Sequence, residues 1–176
     1  MRLNRTVALV GMMGAGKSSV GRRLAARLDV PFCDADTEIE TAAGCSINEI
    51  FERFGEAAFR DGERRVINRL LADPPHVLAT GGGAFIEPET HAALKAHTLT
   101  VWIKAPLELL LDRVARRETR PLLRNVDQRA TLEKMLADRT PLYAQADIAV
   151  DSADGPHTLA VDQILAELKS REMVSA

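Results

Sequence analysis

The stretch that most constrains this chain is GMMGAGKSS, which runs from Gly11 to Ser19 directly after an apolar segment. Its first glycine, four further residues, and then Gly16, Lys17 and Ser18 match the pattern G-x-x-x-x-G-K-[ST]. An apolar run at Thr6 to Val10 predicts a strand before the loop, and helical periodicity follows it. A glycine-rich turn with a capping serine and a surface lysine is the structural alternative. The agreement of motif and context favours a phosphate-binding loop.

Such a loop binds phosphate because glycines allow successive backbone N–H groups to point at phosphate oxygens. The helix that begins near Lys17 adds the positive end of its dipole. We expect the Lys17 ammonium to bridge the outer phosphates, and the Ser18 hydroxyl to bind magnesium carried in by the nucleotide. The loop residues expected to bind the nucleotide are Gly14, Ala15, Gly16, Lys17, Ser18 and Ser19.

Switch GTPases and motor ATPases contain the same kind of loop, but two of their motifs are missing from this sequence. The chain has no NKxD-type motif for reading a base, and no apolar strand ends in Asp-Glu to polarise a hydrolytic water. The receiver of the phosphate is therefore sought elsewhere in the chain.

The order of elements predicts an α/β fold in a single domain spanning residues 1–176, because apolar β-rich runs alternate with helical segments. That alternation is typical of parallel strands joined by crossover helices. The predicted strands are Thr6 to Val10, Pro31 to Cys33, His76 to Ala79, Leu99 to Ile103 and Ile148 to Val150. The first helix is predicted after Gly16. A second runs from Ile47 to about Phe54, where Gly55 breaks it before another helix begins. The remaining predicted helices are Pro88 to Ala96, Pro106 to Arg117 and Thr158 to Lys169.

Composition excludes several classes of function. The chain has 23 Lys and Arg against 25 Asp and Glu, so its net charge of -2 does not favour general nucleic-acid binding. Cys33 and Cys45 form neither a disulfide framework nor a zinc motif. No apolar run approaches the roughly 18 residues of a membrane span. We expect a cytoplasmic, soluble monomer without nucleic-acid or membrane partners.

Polar and glycine-rich residues follow two of the predicted strands. Asp34 and Asp36 come directly after the second strand, where alternate positions of extended backbone would project in the same direction. The structural alternative makes Asp36 the N-cap of the next helix. Gly81 to Gly83 follow the third strand and permit a ligand to lie against backbone amides, although a tight turn is the alternative.

Several motifs together resemble shikimate kinase. They are GMMGAGKS, the DAD pair, FRDGE at Phe59 to Glu63, TGGGAF at Thr80 to Phe85, TRPLL at Thr119 to Leu123 and RTPLY at Arg139 to Tyr143. The resemblance extends from about Thr6 to Leu168 and keeps the family's order of motifs. It implies a P-loop fold of the nucleoside-monophosphate-kinase type, with a five-stranded parallel sheet flanked by helices and a lid loop at about residues 116–129. The implied reaction moves the γ-phosphate of ATP to the 3-hydroxyl of shikimate, on the route to chorismate and the aromatic amino acids.

The resemblance also implies individual roles. Asp36 would bind the shikimate hydroxyls and is the best-placed general base, and Gly82 would contribute a backbone amide. Arg60 and Arg139 would clamp the substrate carboxylate, a recognition that suits guanidinium forks. Asp34 would sit behind the magnesium that Ser18 contacts. The implied catalytic residues are Lys17, Asp36 and Arg120, of which Arg120 would reach the phosphates from the lid.

Alternatives remain open for the whole chain and for single residues. The whole chain is also compatible with a related kinase, such as gluconate kinase, or with a nucleotide-binding module without turnover.

Single residues also have alternative interpretations. Arg60 is alternatively part of a solvated helix face. The arginines of residues 116–129 are alternatively a weak RNA-contact strip, although aromatic residues for base stacking are lacking there. Phe51 and Phe59 line a pocket or belong to the core. The segment Val150 to Thr158 receives no role.

Overall fold

The computed structural model describes residues 2–116 and 127–175. The strands are β1 (Arg2–Leu3), β2 (Val7–Val10), β3 (Phe32–Asp34), β4 (Val77–Ala79), β5 (Leu99–Lys104), β6 (Ile148–Asp151) and β7 (Val174–Ser175). The helices are α1 (Lys17–Leu28), α2 (Ala35–Ala43), α3 (Ile47–Leu71), α4 (Pro88–His97), α5 (Leu107–Ala115), α6 (Gln128–Tyr143) and α7 (Thr158–Ser170). Within the described ranges, none of these helices combines the length and apolarity that a membrane span requires.

Five strands form one parallel sheet in the order β3-β4-β2-β5-β6, which confirms the predicted architecture. All residues of the central strand β2 are buried, as is typical of a parallel sheet flanked by helices. Asp34 of β3 pairs with Ala79 of β4, and Ala79 pairs with Leu9 of β2. This register brings the carboxyl ends of three strands to one edge, where ligands bind in open α/β sheets. β1 and β7 form a separate antiparallel pair that the sequence did not predict.

Helix α1 begins at Lys17 because Gly16 adopts a left-handed conformation, with φ of 100°, that turns the loop into the helix. Val20, Leu24 and Leu28, which recur at every fourth position, are fully buried and form the apolar face of this helix. The arginines of the same helix are exposed. The amphipathic pattern thus fixes the loop against the sheet, with the helix N-terminus at the sheet's carboxyl edge.

The two aspartates after β3 have different conformations, so the predictions that both lie in extended backbone and that Asp36 is the N-cap are wrong. Asp34 is the N-cap of α2, because its carboxylate accepts hydrogen bonds from the N–H groups of Asp36 and Thr37 at 3.0 and 3.4 Å. Asp36 lies in the first turn of that helix rather than in extended backbone or at the cap. The earlier carboxylate acts as the cap because its strand residue has the extended conformation that an N-cap needs.

Helix α3 begins as the sequence predicts. The Ser46 hydroxyl accepts a hydrogen bond from the Glu49 N–H at 3.2 Å and caps the first turn. Gly55 interrupts the helix with φ of 84° and ψ of 176°, a conformation that favours glycine, which confirms the predicted break. The helix therefore consists of two segments at an angle, and the second carries Arg60 and Glu63.

The loop predicted for residues 116–129 ends earlier than expected. Helix α6 begins at Gln128, where the Asp127 carboxylate accepts a hydrogen bond from the Ala130 N–H at 3.2 Å. Periodicity did not reveal α6, because Leu132 and Tyr143 are its only buried residues and Pro141 interrupts its pattern. The preceding helix α5 ends at Ala115. Residues 117–126, and with them the predicted phosphate ligand Arg120 and most of the predicted lid, lie outside the described part of the chain.

Candidate active site

Two adjoining cavities lie at the carboxyl edge of the sheet, with volumes of about 260 and about 60 Å³. Asp36, Gly81 and Gly82 line both of them. The larger, named here the loop cavity, is otherwise lined by Gly14, Gly16, Lys17, Ser18, Ser19, Asp34, Thr80, Arg113, Arg116 and His157. The smaller, named the arginine cavity, is otherwise lined by Met13, Ile47, Phe51, Phe59, Arg60, Glu63, Gly83 and Arg139.

The phosphate loop curls around the Lys17 side chain. Lys17 is only 8% exposed, and its Nζ donates to the carbonyl oxygens of Gly11 and Met12 at 2.7 and 2.8 Å. These bonds hold the ammonium at the floor of the loop cavity. Ala15 differs from the other five predicted loop residues, because it is buried away from the cavity and its N–H donates to Met12 within the loop at 3.1 Å.

The Ser18 hydroxyl and the Asp34 carboxylate meet on the wall of the loop cavity. Ser18 Oγ donates to Asp34 Oδ2 at 2.7 Å, while the other carboxylate oxygen caps α2. Capping fixes the Asp34 side chain, and Asp34 in turn orients the serine hydroxyl. The structure thus brings together the two residues that the sequence selects as the metal site.

The arginine cavity contains a nearly buried ion pair. Arg60 Nη1 lies 2.8 Å from Glu63 Oε1, and Glu63 is 1% exposed. The second oxygen, Oε2, is buried without a hydrogen-bond partner among the described residues. Burial raises the pKa of Glu63, Arg60 opposes that rise, and the nearby carboxylates of Asp36 and Glu87 add to it. Glu63 therefore holds Arg60 at the cavity while its own ionised form is destabilised.

The glycines after β4 make room for charged side chains as well as for a ligand. A Cβ at Gly81 would lie 2.9 Å from Asp36 Oδ1 and 3.1 Å from Glu63 Oε2. A Cβ at Gly83 would collide with the Arg60 guanidinium at Nη2. Side chains at these positions would displace the groups that line the two cavities. Neither sequence interpretation, a ligand against the backbone or a tight turn, included this role.

The replacement Gly83→Ala is expected to raise the KM for the molecule that binds in the arginine cavity about tenfold with little loss of stability. The new methyl group would push the flexible end of Arg60 out of place, and one charge-assisted hydrogen bond corresponds to roughly that factor. Steady-state kinetics and thermal melting would measure both effects. Gly62→Ala is the matched control, because nothing lies within 4 Å of a Cβ there. An unchanged KM in Gly83→Ala would contradict the expectation.

Helix α6 contributes the second arginine of the smaller cavity. Arg139 Nη1 donates to the Gly82 carbonyl oxygen at 3.2 Å. Arg60 and Arg139 thus come from different helices to the same cavity, although the chain separates them widely. The rings of Phe51 and Phe59 pack beside them with centroids 4.8 Å apart. Phe59 is also buried, so both interpretations of this residue hold.

The comparisons with known proteins agree with this geometry. A model of the shikimate kinase family matches residues 13–169. A shikimate kinase from Caulobacter vibrioides is 56% identical over 165 residues, which cover 94% of this chain and 82% of the relative. The structure of a shikimate kinase from Acinetobacter baumannii in complex with shikimate is 38% identical, covers 97% of this chain and 96% of its own, and has a TM-score of 0.93. The chain belongs to the shikimate kinase family.

Membership of the shikimate kinase family makes the chain an ATP-using phosphotransferase of the shikimate pathway, as the motifs implied. A gluconokinase from Sinorhizobium meliloti is 20% identical over 97% of this chain and 94% of its own, with a TM-score of 0.59. That likeness shows the fold alone. The family assignment decides against gluconate kinase and against a binding module without turnover.

Arg113 and His157 line the loop cavity but were not identified as site residues from the sequence. Arg113 of α5 donates to the Gly14 carbonyl at 3.0 Å and to the Ser152 hydroxyl at 3.2 Å. His157 approaches Gly16 so closely that a Cβ there would lie 3.0 Å from its ring. Burial lowers the pKa of His157, and the positive charges of Arg113 and Arg23 lower it further. No local sequence pattern identifies these two residues, because each contacts the phosphate loop, which is far from it in the sequence.

Proposed function

We propose that the loop cavity binds ATP, that the arginine cavity binds shikimate, and that phosphoryl transfer to the 3-hydroxyl occurs where the cavities meet. The observation that carries the proposal is the wall of Asp36, Gly81 and Gly82 that both cavities share. A shared wall places two ligands in contact without a third group between them, as direct transfer requires. The shikimate complex of the Acinetobacter baumannii relative supports the choice of acceptor.

On the ATP side, Gly14 and residues 16–19 cradle the phosphates and the Lys17 ammonium stabilises the charge on the transferring group. Catalysis of phosphoryl transfer depends chiefly on such positioning and electrostatics. Lys17 is already held by two carbonyl oxygens, so its position requires little reorganisation when the nucleotide binds. Arg120, which lies outside the described residues, is proposed to reach the phosphates when the predicted lid segment between α5 and α6 closes. Closure would exclude water and limit ATP hydrolysis.

Magnesium is the proposed cofactor, and Ser18 with Asp34 would hold it. Their hydroxyl and carboxylate oxygens fit a hard cation, and the Ser18 Oγ to Asp34 Oδ2 contact of 2.7 Å brings both donors to one wall of the loop cavity. Magnesium in kinases is bound by few protein ligands together with substrate phosphates. When bound, the ion supplies neutralisation of phosphate charge.

On the shikimate side, Arg60 and Arg139 would bind the carboxylate while Asp36 and the Gly82 amide bind hydroxyls. Guanidinium groups match a carboxylate with paired N–H donors. Both arginines line the arginine cavity, and Glu63 fixes the first of them at 2.8 Å. The shikimate carboxylate is thereby bound at the end of the arginine cavity that lies away from the loop cavity. The hydroxyls of the shikimate ring face the wall that the two cavities share.

Asp36 is proposed as the base of the reaction. The 3-hydroxyl oxygen forms a bond to the γ-phosphorus, the bond from that phosphorus to the bridging oxygen breaks, and ADP leaves with the electron pair. The hydroxyl proton passes to the Asp36 carboxylate, which lines both cavities. A loose transition state makes little demand for early proton removal, so transfer to Asp36 can follow bond formation.

We further propose that the chain acts as a single-domain monomer in the cytoplasm, without nucleic-acid or membrane partners. A net charge of -2 supports the lack of nucleic-acid binding. Light scattering at the concentration of the activity assay would test the oligomeric state, and a mass of twice the 19.2 kDa chain would overturn it.

The test of the proposed function is ADP release with magnesium and ATP, comparing shikimate, gluconate and no acceptor. We expect release that depends on shikimate, and phosphorus NMR of the product should locate the phosphate on the 3-hydroxyl. Release with gluconate alone would overturn the assignment of Asp36, Arg60 and Arg139. Absence of release with either acceptor would refute the proposal of turnover altogether.

The replacement Glu63→Gln is expected to stabilise the folded protein increasingly as the pH rises. Because burial raises the folded-state pKa of Glu63 above its ordinary 4.5, ionisation costs folding free energy. That cost is absent below the pKa that Glu63 has in the unfolded chain. It is fully present above the pKa that Glu63 has in the folded protein. Denaturant unfolding at pH 4.5 and pH 8 should therefore give a larger advantage for Glu63→Gln at pH 8.

The matched control is Glu56→Gln, which removes an exposed partner of Arg60 at 3.6 Å and should show no such trend. Glu63→Gln should also raise the KM for shikimate, since it weakens the hold on Arg60. An advantage that shrinks between pH 4.5 and pH 8 would contradict the assigned direction of the pKa.

A further inference from the structure

The end of α6 carries a buried tyrosine to which the proposed function assigns no role. Tyr143 is the only tyrosine of the chain, and its side chain is fully buried. It follows Arg139 by four residues, so the two side chains lie on the same face of the helix. The ring stacks on Trp102 of β5 with centroids 6.0 Å apart. A hydroxyl in such surroundings is costly to bury unless it is hydrogen-bonded.

The partner of this hydroxyl is the carbonyl of Gly82. Tyr143 Oη donates to that oxygen, and Arg139 Nη1 donates to it at 3.2 Å. A carbonyl oxygen has two lone pairs, so these two donors saturate it. Gly82 also approaches the phosphate loop, because a Cβ there would lie 3.2 Å from the Met13 nitrogen. Tyr143 and Arg139 together therefore hold the segment that separates the two cavities.

Tyr143 also interacts directly with Arg139. Burial raises the pKa of Tyr143, and the charge and hydrogen bond of the Arg139 guanidinium oppose that rise without reversing it. The phenol thus stays protonated near neutral pH, so it donates to the Gly82 carbonyl beside the Arg139 guanidinium that donates to the same oxygen. An arginine restrained in this way loses less side-chain freedom when it binds a carboxylate.

We propose that Tyr143 is a positioning residue for shikimate binding, because it fixes the Arg139 guanidinium and the Gly82 segment in their binding geometry. The proposal rests on the function proposed above, in which Arg139 binds the substrate carboxylate. Tyr143 lies behind the residues that line the two cavities rather than among them. Its influence on the substrate is therefore exerted through Arg139 and Gly82.

The first test is the replacement Tyr143→Phe, which removes the hydroxyl and keeps the ring on Trp102. We expect the KM for shikimate to rise about five- to tenfold, the upper range of one hydrogen bond between neutral groups. The KM for ATP and kcat should change less than about threefold. The control is Thr98→Val, which removes a buried hydroxyl hydrogen bond of 2.7 Å to Leu94 elsewhere in the fold and should leave every kinetic constant unchanged. A lower melting temperature with an unchanged shikimate KM in Tyr143→Phe would overturn the proposal.

A double-mutant cycle with Arg139→Ala separates this inference from the proposed function. If Tyr143 acts through Arg139, then Tyr143→Phe should add less than about twofold to the shikimate KM once Arg139 is absent. Multiplication of the two effects would overturn the positioning role and leave the assignment of Arg139 intact. An unchanged shikimate KM in Arg139→Ala itself would instead refute the assignment of Arg139, and with it this inference.

A measurement on the unsubstituted protein covers the case in which Tyr143→Phe folds poorly. Because the chain has one tyrosine, biosynthetic incorporation of 3-fluorotyrosine labels Tyr143 alone. Its fluorine resonance should move when shikimate is added and stay in place when ADP is added. Arg139→Ala should move the resonance of the free protein and abolish the response to shikimate. A resonance that does not respond to saturating shikimate would overturn the proposal.

Discussion

Replacing Lys17 by alanine is expected to lower kcat roughly 100- to 1,000-fold, the effect of removing one preorganised group that stabilises developing charge. The Lys17 ammonium is buried at the floor of the loop cavity and held there by the carbonyls of Gly11 and Met12. No other lysine lines that cavity among the described residues. Since the arginine cavity does not include Lys17, the Kd for shikimate should stay within about threefold of the original value.

Steady-state kinetics and calorimetric titration with shikimate would measure the two quantities for Lys17→Ala. Lys169→Ala is the matched control, because it removes an exposed lysine in the last turn of α7. Thermal melting should accompany both variants, since Lys17 also satisfies two loop carbonyls. A loss of shikimate affinity as large as the loss of kcat would contradict the separation of the two cavities.

Replacing Arg139 by alanine is expected to act on binding instead of turnover. Loss of one partner of a buried charged contact costs about 2 to 4 kcal/mol, which corresponds to roughly a 30- to 1,000-fold rise in the shikimate KM. At saturating shikimate, kcat should fall less than about threefold, because Arg139 lines the arginine cavity and not the loop cavity. The KM for ATP should remain unchanged for the same reason.

The matched control for Arg139→Ala is Arg27→Ala, which removes an arginine paired with Asp162 on the surface, where such pairs contribute little. Its kinetic constants should equal those of the original protein. Lys17→Ala and Arg139→Ala should thus differ in which constant they change. Equal losses of kcat and of shikimate affinity in both variants would refute the division of roles.

Features that depend on neighbouring residues were predictable from the sequence. The phosphate loop, the start of α3 at Ile47 and the break at Gly55 each follow from a few adjacent residues, and the structure contains all three. The apolar face of α1 and the parallel strands follow from periodicity, which reflects burial directly. The family motifs identified Arg60 and Arg139 as candidate site residues. Their residue types alone did not indicate those roles.

The sequence did not predict features that depend on a choice between two suitable residues or on contacts between residues far apart in the chain. Asp34 and Asp36 both suit a helix N-terminus, and only the backbone conformation decides that Asp34 is the cap. Arg113 contacts Gly14 across 99 positions of sequence, so no local pattern marks it. Helix α6 buries too few side chains to leave an apolar periodicity.

The distribution of cavity residues over the fold bears on how acceptor specificity can evolve. The charged groups that belong to the arginine cavity alone lie on α3 and α6, whereas the phosphate loop leads into α1. Substitutions on α3 and α6 are therefore expected to change the proposed acceptor site without altering the phosphate loop. We therefore expect acceptor specificity to depend on the arginine cavity, with the wall of Asp36, Gly81 and Gly82 as the part that must suit both ligands.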